Sequence, residues 1–117
     1  MRRYIALGAI VLGLVVASAA SAATLNTSKF GDLISTGAQC AHGAVYHFVN
    51  NGLGNEGLPD GTISFQFSGH SASSAGASFN NGPTQHFFVT STGTLQWAST
   101  DLPGKLVLSG VACAKKK

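Results

Sequence analysis

Four histidines, His42, His47, His70 and His86, are the residues of this chain best suited to chemistry at neutral pH. An imidazole titrates near pH ~6.5, so it serves as a general base or as a ligand for zinc or copper. His47 and His86 both fall in alternating apolar segments and are expected on strands that could be neighbours. Two imidazoles across a strand pair make half of a metal site. The rest would have to come from a loop, as His42, His70 or an aspartate. The competing reading leaves strand histidines on a wet face or bonded to backbone groups. That reading is adopted: no metal, cofactor or catalytic residue is assigned, and His47, His86, His42 and His70 stand as candidate ligands.

Other constellations are weaker. Gly69-His70-Ser71-Ala72-Ser73 comes within one residue of the Gly-x-Ser-x-Gly elbow that exposes a nucleophilic serine. Ser73 replaces the last glycine, no strand-turn-helix context follows, and the chain is far too short for an α/β-hydrolase, so the segment reads as a polar loop. Glycosidase chemistry needs two carboxyl groups at a set separation. The carboxylates after residue 22 are Asp32, Glu56, Asp60 and Asp101, and most sit beside Gly or Pro where turn geometry accounts for them. Trp97, with Tyr46, could form a sugar-stacking platform. It alternates in phase with Leu95, which predicts a core position instead.

The whole-chain charge of +3 is misleading. Arg2 and Arg3 lie at the extreme N-terminus, and Lys115, Lys116 and Lys117 form a basic tail. The body between them carries Lys29 and Lys105 against four carboxylates. Nucleic-acid binding requires clustered Lys and Arg on the fold itself, and this pattern excludes it. The tail could at most attract anionic envelope polymers or lipids.

Met1-Arg2-Arg3, an apolar run from Tyr4 to Ala17, and the small residues Ser18 to Ala23 form the charged, apolar and cleavable parts of a helical secretory signal. The expected cut follows Ala22. An uncleaved anchor is the alternative, since about 17 apolar residues approach the length of a membrane-spanning helix. After cleavage no membrane span is expected, and the product would be secreted or periplasmic. Cys40 and Cys113 are the only cysteines, and an even count in an exported chain predicts a disulfide. Closing the chain between them stabilises by roughly 4 kcal/mol on the loop-entropy argument. Asn26-Thr27-Ser28 is a glycosylation sequon that matters only in a glycosylating host.

The elements that must position these residues are short strands. Ala44 to Val49 alternates, with Val45, His47 and Val49 on one side and Tyr46 and Phe48 on the other, both partly apolar, which predicts a central strand. Thr62 to Ser68 carries Ile63, Phe65 and Phe67 opposite Ser64, Gln66 and Ser68. Gln85 to Ser91 sets Phe87 and Val89 against His86, Phe88 and Thr90. Thr92-Gly93 is expected to turn it into a hairpin with Thr94 to Ser99. Lys105 to Cys113 closes the body, with Leu106 and Leu108 on one face and Val107, Val111 and Cys113 on the other. Residues 24–33 read as an irregular arm or edge strand, and no window shows a convincing helix. Residues 50–61 and 69–83 read as long polar loops. The fold class is therefore all-β: a small antiparallel β-sandwich, Ig-like or similar, of about 5–7 strands closed by one disulfide. The organisation is signal 1–22, one domain 23–114 and tail 115–117.

Tyr46-His47-Phe48-Val49, Gln85-His86-Phe87-Phe88-Val89 and Leu102-Pro103-Gly104-Lys105-Leu106-Val107-Leu108-Ser109 resemble small secreted bacterial β-sandwich modules. These are strand and turn segments, so the likeness implies fold and export and carries no active site. The functional expectation is a non-enzymatic module that binds a protein, glycan or cell-envelope polymer. Its two loops supply the candidate contacts Asn50, Asn51, Asn55, His70, Asn80 and Asn81. The alternatives are a small His-dependent metal-binding or enzymatic protein, and a structural protein that self-associates through edge strands.

Overall fold

The computed structural model describes residues 22–52 and 60–115. The predicted signal up to Ser21, Asn55, and Lys116 and Lys117 of the tail lie outside them. Among the described residues the strands are β1 (Ala44–Asn51), β2 (Thr62–Phe67), β3 (Ser73–Gly76), β4 (Phe79–Asn81), β5 (Thr84–Ser91), β6 (Leu95–Thr100) and β7 (Lys105–Cys113). They form one sheet in the order β4-β5-β1-β7 and a second in the order β3-β2-β6. Every ladder between them is antiparallel. No helix of the described residues is long and apolar enough to cross a membrane.

Alternation decides which side chains meet between the sheets. Tyr46, Phe48, Phe87, Val89, Leu106 and Leu108 from the four-stranded sheet join Ile63, Phe67, Leu95 and Ala98 from the three-stranded one in a single core. Each Val, Leu, Ile or Phe among them contributes roughly 1.5–3 kcal/mol when fully buried. β1 lies between β5 and β7, as its two apolar faces predict.

The connections differ from expectation in an instructive way. β5 and β6 do not form a hairpin; they belong to different sheets. Thr94, just past the turn, is taken by the end of β2: its carbonyl accepts from the Ser68 amide at 2.8 Å, and its amide donates to Ser68 Oγ at 2.9 Å. Gly93 permits the crossing, because its φ of 87° is left-handed and a Cβ there would lie 2.5 Å from the Ser68 carbonyl oxygen. The 69–83 segment is likewise not one loop. It contains β3, which lengthens the second sheet, and β4, which pairs with β5 in the first.

Two β-bulges overturn face assignments made on strict alternation. The β2–β6 register runs Gln66 to Trp97 and then Phe67 to Leu95, so Gln96 is extra. One inserted residue exchanges the faces beyond it. Leu95 is therefore buried, while Trp97 stands on the outer face at 39% exposure, its Nε1–H donating to Gln66 Oε1 at 3.2 Å. The expected core tryptophan is a surface residue. In β7 the register slips between Leu108 and Gly110. This brings Val111 to the core side with Leu106 and Leu108, where it packs against the buried cluster.

The N-terminal arm does two jobs. Ala23 to Leu25 runs along the free edge of β6, with the Leu25 amide donating to Ala98 O at 2.9 Å and the Thr100 amide to Ala23 O at 2.8 Å. A covered edge cannot recruit another strand. A 3-10 segment (Thr27–Ser35), kinked at Gly31, and one α-helical turn, α1 (Thr36–Gln39), follow where no helix was expected. Phe30 and Ile34 of this segment pack on the core.

The helical segment is held by Tyr46. Its ring is fully buried, and its hydroxyl accepts from the Gly37 amide at 2.8 Å, with the Ile34 and Gly93 carbonyls at 3.2 and 3.3 Å as acceptors for its proton. Gly37 must be glycine, since a Cβ would lie 2.6 Å from Ser91 O. Immediately after α1, Cys40 bonds to Cys113, with Cα atoms 5.4 Å apart. The expected disulfide thus ties the entry of β1 to the end of β7.

Tyr46→Phe keeps the ring and orphans the buried Gly37 amide, so it should lower unfolding free energy by roughly 1–3 kcal/mol in urea titrations. Trp97 emission should be solvent-like and quenched by iodide in the native protein; a blue-shifted, protected emission would contradict the bulge.

Candidate functional site

Alternation along β1 and β5 turns His47, Val45 and Val49, and His86, Phe88 and Thr90, away from the core. Register completes the arrangement: His47 is opposite Phe88, and His86 is opposite both Val49 and, on β4, Phe79. A patch of rings results on the outer face of the four-stranded sheet. Phe79 stacks on His86 (centroids 4.2 Å, planes 11° apart), and Phe88 stacks on His47 (4.4 Å, 10°).

The two imidazoles meet end to end. His47 Nε2 and His86 Nδ1 are 2.8 Å apart, the planes differ by 24°, and the centroids lie 5.1 Å apart. That centroid distance accommodates the short contact only if the two ring radii lie nearly in line with it. One nitrogen must carry the bridging proton and the other must be bare. His86 Nε2 reaches Thr84 Oγ1 at 3.4 Å, a long contact on its far side.

This geometry limits what the pair does. One nitrogen of each ring is engaged with the other ring, and among the described residues no group of three or more His, Cys, Asp or Glu stands together. Partial burial first, and the neighbouring His86 second, hold the His47 pKa below its ordinary value. Among the described residues, the remaining charged side chain on this face is Lys105, opposite Asn51 at the far end of the sheet.

The other two histidines share a different place. His42 and His70 line an open cavity of about 450 Å³ between the sheets, whose walls include Phe65, Ser73, Val89 and Thr92. His70 Nε2 is 2.8 Å from Thr92 Oγ1. Ser71 lies on the same wall, but the His70 contact with Thr92 gives no support to a serine-nucleophile reading.

The candidate asparagines scatter. Asn50 is not a surface loop residue: it points inward from β1 at 0% exposure, its Nδ2 donating to Thr100 Oγ1 and Pro103 O, both at 3.3 Å. The strand runs further than the polar Asn50-Asn51 pair suggested. Asn51 ends β1 and is half-buried. Asn80 is exposed on β4 and donates to Asp60 Oδ1 at 2.9 Å, and Asn81 ends that strand. Phe65, Phe79 and Phe88 are the contributors that sequence reasoning did not single out. The one available signal was that Phe88 alternates out of phase with the core residues Phe87 and Val89.

Comparison with known protein families, curated proteins and solved structures finds no match.

Because the folded-state pKa of His47 is lowered, the unfolded chain binds its proton more readily. The contribution of His47 to stability should be complete above pH ~6.5 and be lost as pH falls through its folded-state pKa. Chemical denaturation across this range should show that decline, and His86→Asn should move the His47 titration, followed by NMR, upward.

Proposed function

We propose that this protein is a secreted, non-enzymatic β-sandwich module that docks a partner on the outer face of its four-stranded sheet. The observation that carries the reading is the contiguous ring patch Phe79, His86, His47 and Phe88. Phe79 and Phe88 are 47% and 43% exposed, and adjacent exposed phenylalanines on one face are the mark of an interaction surface. Val45, Val107 and Ala112 continue the apolar character across β1 and β7 by register with Thr90 and Val49. The described residues of this face carry no carboxylate, so a largely uncharged partner surface fits it.

Export is supported by the charged, apolar and small-residue pattern of residues 1–22, and the Cys40–Cys113 disulfide is compatible with an oxidising compartment. Cleavage after Ala22 would leave Ala23, the first buried residue of the arm, as the mature N-terminus. The 69–83 segment keeps a place in the binding reading, since β4 contributes Phe79 to the patch.

The test uses isolated envelopes from the secreting cells. Wild-type protein should co-sediment with them, while Phe79→Ser/Phe88→Ser, which alters exposed rings and should fold normally, should remain in the supernatant. Equal binding by both proteins, or binding by neither, would refute the reading. Self-association of the wild type that the double variant abolishes, seen by analytical ultracentrifugation, would assign the face to a second copy instead.

A further inference from the structure

The cavity holding His42 and His70 exists because the two sheets end unevenly. β3 has four residues where the facing β5 has eight. Phe65 points inward from β2 but remains only half-buried, and Ser73, its ladder partner on the same side, is exposed. The core is unfilled at this edge. Its floor is apolar, made by Phe65, Phe67 and Val89, and its rim carries hydroxyl groups and two imidazoles.

We infer that this mouth is a binding site for a neutral carbohydrate of mono- or disaccharide size, with one sugar face on the Phe65 ring and its hydroxyls on the rim. Three features of the lining select that class. The volume of about 450 Å³ falls in the range of roughly 300–1,000 Å³ typical of small-molecule sites. No carboxylate, lysine or arginine lines it, so a charged ligand would find no permanent counter-charge. A purely apolar ligand would strip water from Ser71, Ser73, Ser91 and Thr92 without replacing its hydrogen bonds. A pyranose avoids both penalties, because it offers C–H groups to an aromatic face and exchangeable hydroxyl groups around its edge. The His70 to Thr92 contact of 2.8 Å holds part of the rim in place before a ligand arrives.

This site is separate from the outer-face patch and does not rest on it. The test is NMR titration of the labelled, untagged protein with cellobiose, lactose and diacetylchitobiose, and with sialyllactose as a charged comparison. The expected result is saturable shifts at Ser71, Ser73, Ser91 and Thr92 with at least one neutral sugar, saturation transfer from the Phe65 ring, and weaker binding of sialyllactose. Ser73→Phe should plug the mouth and raise Kd at least tenfold, about 1.4 kcal/mol. Ser71→Phe applies the same plug from a loop if the first variant disturbs the β2–β3 ladder. Phe79→Ser/Phe88→Ser should leave the titration unchanged. No saturable shift with any neutral sugar, shifts confined to the outer face, or binding that survives both plugs would each overturn the assignment.

Discussion

The Tyr46 hydroxyl is the point on which the packing of this protein turns. A phenol at the centre of a core is tolerated only when its oxygen is hydrogen-bonded, and burial raises its pKa so that it stays protonated and able to donate. Its partners come from three parts of the chain: Gly37 of α1, Ile34 of the 3-10 segment and Gly93 of the crossing between sheets. The ring below packs on Phe67 at a centroid distance of 4.7 Å, which couples the two sheets through the same residue. Satisfying one buried oxygen therefore constrains the N-terminal segment, the β5–β6 crossing and the spacing of the sheets together. The disulfide acts beside it, holding the end of α1 against the last strand.

With the core settled, the remaining surfaces follow from what each sheet cannot cover. The three-stranded sheet turns Ser64, Ser99, Gln66 and Trp97 outward, a mostly polar face that suits water. The four-stranded sheet presents stacked rings and valines instead, although both sheets use the same alternation. On the proposed reading, these exposed apolar side chains form the contact surface for another molecule.

The histidines divide along the same line. His47 and His86 are locked to each other on the outer face, where their shared proton links two strands and Phe79 and Phe88 stack against them. His42 and His70 stand at the unfilled edge between sheets, with hydroxyl groups around them and aromatic carbon below. Neither pair has a carboxylate partner among the described residues; His47 and His86 bond to each other and stack on Phe88 and Phe79, and His70 meets the Thr92 hydroxyl. On the proposed reading, the two pairs belong to two chemically distinct binding surfaces.

Period-two patterning made much of the fold legible. Ile63, Phe65 and Phe67 against Ser64 and Gln66 identified a strand and its inward face, the two partly apolar faces of Ala44 to Val49 identified a central strand without saying which face turns inward, and two cysteines in an expected export setting indicated their bond. The sides of Leu95, Trp97 and Val111 were not legible, because an inserted residue reverses every face beyond it and Gln96 and Ser109 bear no local mark of being extra. Nor was the separation of β5 from β6, since Thr92-Gly93 suits a hairpin as well as a crossing and the choice rests on Ser68, distant in sequence. The meeting of His47 with His86, and the mouth left by the brevity of β3, were decided in the same way. Alternation is a property of a single strand and can be read from its residues. Register and sheet membership are properties of pairs, settled only when backbone groups far apart in the chain compete for the same hydrogen bonds.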